Sequence, residues 1–238
     1  MAYKTKNGKQ PSFREMLKGI KTVVDTPTRK QKKNECFFIV EGQTEENYLM
    51  CAQNVERFKY KIKGIKRIGR DNLKETEHAI DSYSLRPRQT IICIFDADVY
   101  YNDNNKNRQF HLFWNKYKGR SNVEIFNNMP SVEFWFLLHF LKNTTTMFYS
   151  KTVLFKELTK YAPFIGKNEQ EMKSDKFWSS AFNTLCGRLY QNLDNAILKA
   201  KANSEITTKK RLEKVAKPSL CNGSYTDMYK LFESPNHK

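Results

Sequence analysis

Apolar residues along this chain fall into short unbroken runs set between amphipathic stretches. "ECFFIV" (35–40), "TIICIF" (90–95) and "NVEIF" (122–126) are runs of the kind that form strands covered on both faces. "KYKIKGIKRI" (59–68) alternates apolar and basic positions and predicts another strand, interrupted at Gly64. Between these runs, "TEENYLMCAQNVERF" (44–58), "NLKETEHAIDSYS" (72–84) and "QFHLFWNKYK" (109–118) read as helices. The Asn- and Asp-rich "DADVYYNDNNKNR" (96–108) reads as a loop, and "SVEFWFLLHFL" (131–141) opens after Pro130 as an almost wholly apolar helix. Strands alternating with helices predict an α/β fold on a mainly parallel sheet flanked by helices.

After residue 150 the strand signal stops. "KTVLFKELTKYA", the stretch 175–202 and "EITTKKRLEKVAK" all read as helices, and a last helix follows "PSLCNGSYTD". Three regions are therefore expected. A basic segment, 1–34, carries a short amphipathic helix with Phe13, Met16, Leu17, Ile20, Val23 and Val24 on one stripe. An α/β domain spans 35–145, and a helical C-terminal extension, 146–238, packs on that core.

Charge changes the picture next. Of 238 residues, 42 are Lys or Arg and 25 are Asp or Glu, a formal net charge of +17. Such a surface attracts phosphate backbones, although a solubilising role accounts for it equally simply. No apolar run reaches the ~20 residues of a membrane span, and the N-terminus has no apolar signal-peptide core. Five cysteines without paired spacing suggest neither a disulfide framework nor a zinc site. A cytoplasmic protein is expected.

Against that basic background, acids gather where buried strands should end. Glu41 follows "FFIV", Glu45 falls in the first turn of the next helix, and Asp96 and Asp98 follow "IICIF". In an open parallel sheet, functional groups collect at the carboxyl ends of the strands. If those two strands are neighbours, four carboxylates converge, at a cost that a hard divalent cation removes. Mg²⁺, or Mn²⁺ in its place, held by Glu41, Glu45, Asp96 and Asp98 suits phosphodiester hydrolysis by water. Glu46 reads as an ordinary helix-start acid directed to another face. Glu133, in the first turn of an otherwise apolar helix, reads either as a capping acid or as a further metal ligand. His139 on the same helix reads as a core histidine. In "NKNR" (105–108), Lys106 and Arg108 are the basic residues best placed to hold a substrate phosphate.

Taken together, "VEGQTEENYL", "IFDAD", "MPSVEFWFLLHF" and "KPSLCNGSYTDMYKLFE" resemble, in that order, the RloB-like (abortive-infection) Toprim proteins, related to OLD-type nucleases. The resemblance covers about residues 35–234. It implies a Toprim-like sheet, with Glu41 as general acid/base or metal ligand and Asp96 and Asp98 coordinating Mg²⁺. By motif match it places Glu45 and Glu133 as further acids of the site. It departs at Met129, where the family carries Asn, and at "SVE". It also implies a bacterial anti-phage nuclease acting on DNA or RNA, with an AAA-type ATPase partner encoded beside it. The chain has no phosphate-binding G-x-x-x-x-G-K-[ST] loop of its own. Two other readings stay open: a non-catalytic nucleic-acid-binding or toxin-partner module, and an Mg²⁺-dependent nucleotidyl transferase.

Overall fold

The computed structural model describes residues 33–70, 72–142, 148, 150–181, 191–213 and 224–232. The amphipathic helix expected near residues 11–24 lies outside them, as do Cys186 and Cys221. Five strands form one sheet: β1 (Asn34–Val40), β2 (Tyr60–Arg67), β3 (Gln89–Asp96), β4 (Val123–Met129) and β5 (Tyr225–Thr226), in the order β2-β1-β3-β4-β5. The first four are mutually parallel, and β5 runs antiparallel to β4.

Alternate residues of the central strands feed two separate apolar layers, which is why those strands are apolar without interruption. Cys36, Phe38 and Val40 of β1 and Ile92 and Ile94 of β3 face one layer. Ile39, Ile91, Cys93 and Phe95 face the other. The first layer is closed by α1 (Gln43–Ala52), by α5 (Glu133–Leu138) and by helices from beyond residue 150: α6 (Lys151–Leu158), α8 (Asp175–Ala181) and α9 (Leu193–Glu213). The second is closed by α2 (Leu73–Ser82) and α4 (Asn104–Tyr117), through a cluster of rings that includes Phe95, Phe110, Phe113 and Tyr117. The short helices α3 (Asp98–Tyr101) and α7 (Glu169–Lys173) complete the described elements, with a 3₁₀ turn at Met228–Leu231.

Four expectations change. The 96–108 stretch is not a loop. Asp98–Tyr101 is a turn of helix, and Asp103 caps α4, its carboxylate accepting from the N–H groups of Asn105 and Lys106 at 2.8 and 3.1 Å. Strands do not end before residue 150, because Tyr225 and Thr226 add an edge to β4. The region expected to hold the last helix contributes that strand and the 3₁₀ turn. At Gly64 the strand continues but slips register. Cys36 pairs with Ile62 and Phe37 with Gly64, which leaves Lys63 as the extra residue of a bulge.

Candidate functional site

The register of β1 on β3 pairs Val40 with Ile94, so both strands run out at the same end of the sheet. Glu41 leaves β1 there, and β3 delivers Asp96. Gly42 starts α1 in an extended conformation, and its N–H donates to Glu45 Oε2 at 3.1 Å, folding that carboxylate back over the strand end. A Cβ at position 42 would stand 3.1 Å from the same oxygen, so glycine there leaves the carboxylate its place. Glu133 enters from α5, the helix following β4. Trp135 Nε1 donates to Tyr48 Oη at 2.5 Å and ties α5 to α1, one short step along from Glu133 and from Glu45.

Four acids thus share one buried end of the sheet, with exposures of 7% for Glu41, 5% for Glu45, 4% for Asp96 and 3% for Glu133. Their proximity registers in their acidity. Burial, then the Glu45 carboxylate, pushes Glu41 up to about 8 against the pull of Arg70. Burial, then Glu133, raises Glu45 to about 7. Asp96 rises well above the ordinary aspartate value through burial and through Glu45, Glu133 and Glu41.

Partners within the chain meet part of this charge. The Val132 N–H donates to Asp96 Oδ1 at 2.9 Å, and Ser131 Oγ donates to Glu133 Oε2 at 2.5 Å. Lys151, at the start of α6, brings its ammonium to 3.6 Å from Asp96 Oδ2 and 3.2 Å from Glu169 Oε1. Burial alone would lower the Lys151 pKa, but Glu133, Asp96 and Glu169 together hold it above the usual lysine value. Among the described residues, Glu41 Oε1 is buried with no hydrogen-bond partner. That orphan acceptor is what a cation-binding site would leave behind.

The other predicted residues divide. Asp98 sits at the rim, its carboxylate gripped by the Arg70 guanidinium at 2.9 and 3.0 Å. Glu46 turns away to Arg67, 3.0 Å off, in the direction expected for it. Lys106 and Arg108 lie on the first turns of α4, and neither lines the cleft described below. His139 is a core residue. Its Nδ1 lies 2.9 Å from the Trp135 carbonyl, and burial lowers its pKa to about 4, which keeps it neutral. Sequence reasoning missed Lys151 and Arg70. Each is far along the chain from the acid it meets, and no local pattern marks either.

Beside the buried acids, and joined to them through Lys151, opens a cleft of about 450 Å³, walled on one side by Arg70 and Asp98 and on the other by α6 and the start of α7. The donor chemistry of the buried acids, all carboxylate oxygen, suits a hard divalent ion such as Mg²⁺ or Mn²⁺. As the side chains stand, no group of three or more His, Cys, Asp or Glu among the described residues encloses an ion position. The reason is visible in the partners already named: Arg70, Lys151, Ser131 and two backbone N–H groups engage the oxygens of Asp98, Asp96, Glu133 and Glu45. The buried acids fit a cation in charge and ligand type, while Asp98 is held by Arg70.

No helix among the described residues is long and apolar enough to cross a membrane. No curated protein and no solved structure gives a significant match to the chain. The family model for RloB-like protein matches residues 37–234, from within β1 to just past the 3₁₀ turn, and so takes in every one of the acids above. The chain belongs to the RloB-like family.

Proposed function

We propose that the chain is a metal-dependent nuclease of the Toprim type, hydrolysing phosphodiester bonds in nucleic acid in the bacterial cytoplasm as part of anti-phage defence. The observation that carries this reading is the burial of Glu41, Glu45, Asp96 and Glu133 together at the ends of adjacent parallel strands, with Glu41 Oε1 unpartnered among the described residues. Membership of the RloB-like family and the order of its motifs add support. The relation to OLD-type nucleases and an AAA-type ATPase partner belong to the same proposal, resting on the resemblance of motifs.

Glu41, Glu45, Asp96 and Asp98 would hold Mg²⁺ or Mn²⁺, with Glu133 beside them. A divalent ion in that position supplies charge neutralisation for the phosphodiester and a lower pKa for an attacking water. The protein's own groups do the rest. Glu41, at the end of β1 with Oε1 unpartnered among the described residues, would serve as a metal ligand or as the general acid/base that takes a proton from water and returns one to the departing oxygen. Asp96 is fixed in orientation by the Val132 N–H. Lys151, held protonated by Glu133, Asp96 and Glu169, presents a permanent positive charge to the phosphate oxygens. Burial of the acids keeps competing water from screening these charges.

The test is purified protein with Mg²⁺ or Mn²⁺ against plasmid, single-stranded DNA, total RNA and labelled nucleoside triphosphates, with EDTA as control. Strand scission that disappears in Asp96→Asn with Asp98→Asn is the expected result. Nucleotide conversion without scission would make the protein a transferase. Scission surviving the double substitution would remove the assignment of these acids.

A further inference from the structure

The cleft carries more information than its acids. Its walls hold four cations, Arg70, Lys151, Lys156 and Lys167, against two acids, Asp98 and Glu169, so the space between them favours an anion. Three of those cations already have carboxylate partners: Arg70 with Asp98, Lys151 with Asp96 and Glu169, Lys167 with Glu171. Lys156 stands exposed with no ion pair among the described residues. One aromatic ring, that of half-buried Phe155, lies in the same lining. Lys151 connects it to the acids, since its ammonium is 5.8 Å from the Phe155 ring centre and 3.6 Å from Asp96 Oδ2.

We infer that this cleft is a binding site for one unpaired nucleotide of a single-stranded nucleic acid, its base against Phe155 and its flanking phosphates on Lys156 and Lys167. The inference deepens the nuclease reading and rests on it for the position of the cut bond. An aromatic ring next to a run of cations is the arrangement by which proteins hold single strands, because every base offers a face to stack while the cations follow the backbone. Size points the same way. A space of about 450 Å³ takes one nucleotide-sized ligand. It does not take a duplex, which presents at least two paired nucleotides at every step. With a lysine's reach between ring and acid, the stacked base belongs to the nucleotide beside the bond positioned over Asp96. Duplex nucleic acid reaches the acids only where a base is unpaired or turned out of the helix.

Binding can be measured apart from cleavage, with the full chain in EDTA and fluorescently labelled 12-nucleotide DNA and RNA, single-stranded and duplex. Single strands are expected to bind about tenfold tighter than duplex of the same length. Lys156→Glu with Lys167→Glu should weaken single-strand binding by about tenfold or more. Phe155→Leu keeps apolar volume against the core while removing the ring face. It should weaken single-strand binding by about fivefold, leave the melting temperature near the parent's, and narrow the preference over duplex. If both variants bind single strands as the parent does, or if duplex binds as tightly and Phe155→Leu leaves that ratio unchanged, the inference is wrong. Binding of the expected pattern in a protein that cuts nothing with Mg²⁺ or Mn²⁺ would uphold the nucleotide site and overturn the nuclease reading instead. Cleavage without the pattern would do the reverse.

Discussion

The floor and the rim of the acid site use the same residue types to opposite effect. At the rim, Asp98 and Glu46 each meet an arginine that is half exposed, Arg70 and Arg67, and their charge is answered on the spot. On the floor, Glu41, Glu45, Asp96 and Glu133 share one partly buried lysine and a few hydrogen-bond donors, and the mismatch appears as raised pKa values for three of them. The rim acids come from the same two motifs as Glu41, Glu45 and Asp96, within a few residues of them. What separates the two groups is burial: a carboxylate in water gains little from an arginine, while one held out of water needs a positive charge to stay ionised. The floor is an electrostatic debt that a divalent ion would settle.

The largest effect expected on that contrast comes from neutralising the floor. Asp96→Asn or Glu41→Gln should lower metal-dependent cleavage by on the order of 100-fold or more. Without metal, Glu41→Gln should stabilise the fold by roughly 1–3 kcal/mol at pH 8, because it removes a buried charge that the folded state resists. Activity assays beside thermal melts in EDTA check both, and a loss of stability in the Glu41→Gln protein would count against the description of the floor.

Next comes pH. In the metal-free folded protein, Glu41 and Glu45 keep protons up to about 8 and about 7, whereas the unfolded chain releases them near 4.5. The folded state therefore binds more protons across this window, and stability falls as pH rises through it. His139 works the other way: lowered from 6.5 to about 4, it adds stability as pH rises, an effect complete above 6.5. Between pH 6.5 and 8 the melting temperature in EDTA should drop, and saturating Mg²⁺ should flatten the slope. A level profile in EDTA would contradict the raised pKa values.

A smaller effect belongs to the rim. Arg70→Ala frees Asp98 and removes a cation near Glu41, so Mn²⁺ binding measured by calorimetry should tighten by about two- to fivefold, for less than about 1 kcal/mol of stability. Smallest of all, Arg67→Ala, which unpairs only Glu46, should leave cleavage and metal binding within experimental error. A strong effect there would mean that the cleft extends to α1's outer face.

Much of this contrast was legible before any coordinates. β1 and β3 announce themselves as unbroken apolar runs because both faces of a central parallel strand are covered, and their trailing acids inherit a common end once the strands are neighbours. The adjacency itself stayed a condition in the sequence, because β1 and β3 are not consecutive and the order β2-β1-β3 is a tertiary fact. The counter-charges did not show. Lys151 is one lysine in a lysine-rich helix, 55 positions from Asp96, and only the packing of α6 brings the two together. The composition of the "NDNNKNR" stretch favours loop, although Asp103 within it is a standard helix cap. β5 is two residues long and polar in its surroundings, and its pairing with β4 is a tertiary fact with no periodic signal.

That short strand has a consequence in time. Thr226 Oγ1 donates to Asn128 Oδ1 at 2.6 Å, and Asp227 accepts from the Asn127 N–H at 3.0 Å, so residues near position 226 fasten the end of β4 beside Asp96. They are made a hundred codons after the strand they fasten. While the chain is still on the ribosome, the acids of β1 and β3 can gather, yet the strand flanking Asp96 waits for its last clasp. The end of β4 beside Asp96 is thus fastened only after residues 226 and 227 have been made and have left the ribosome.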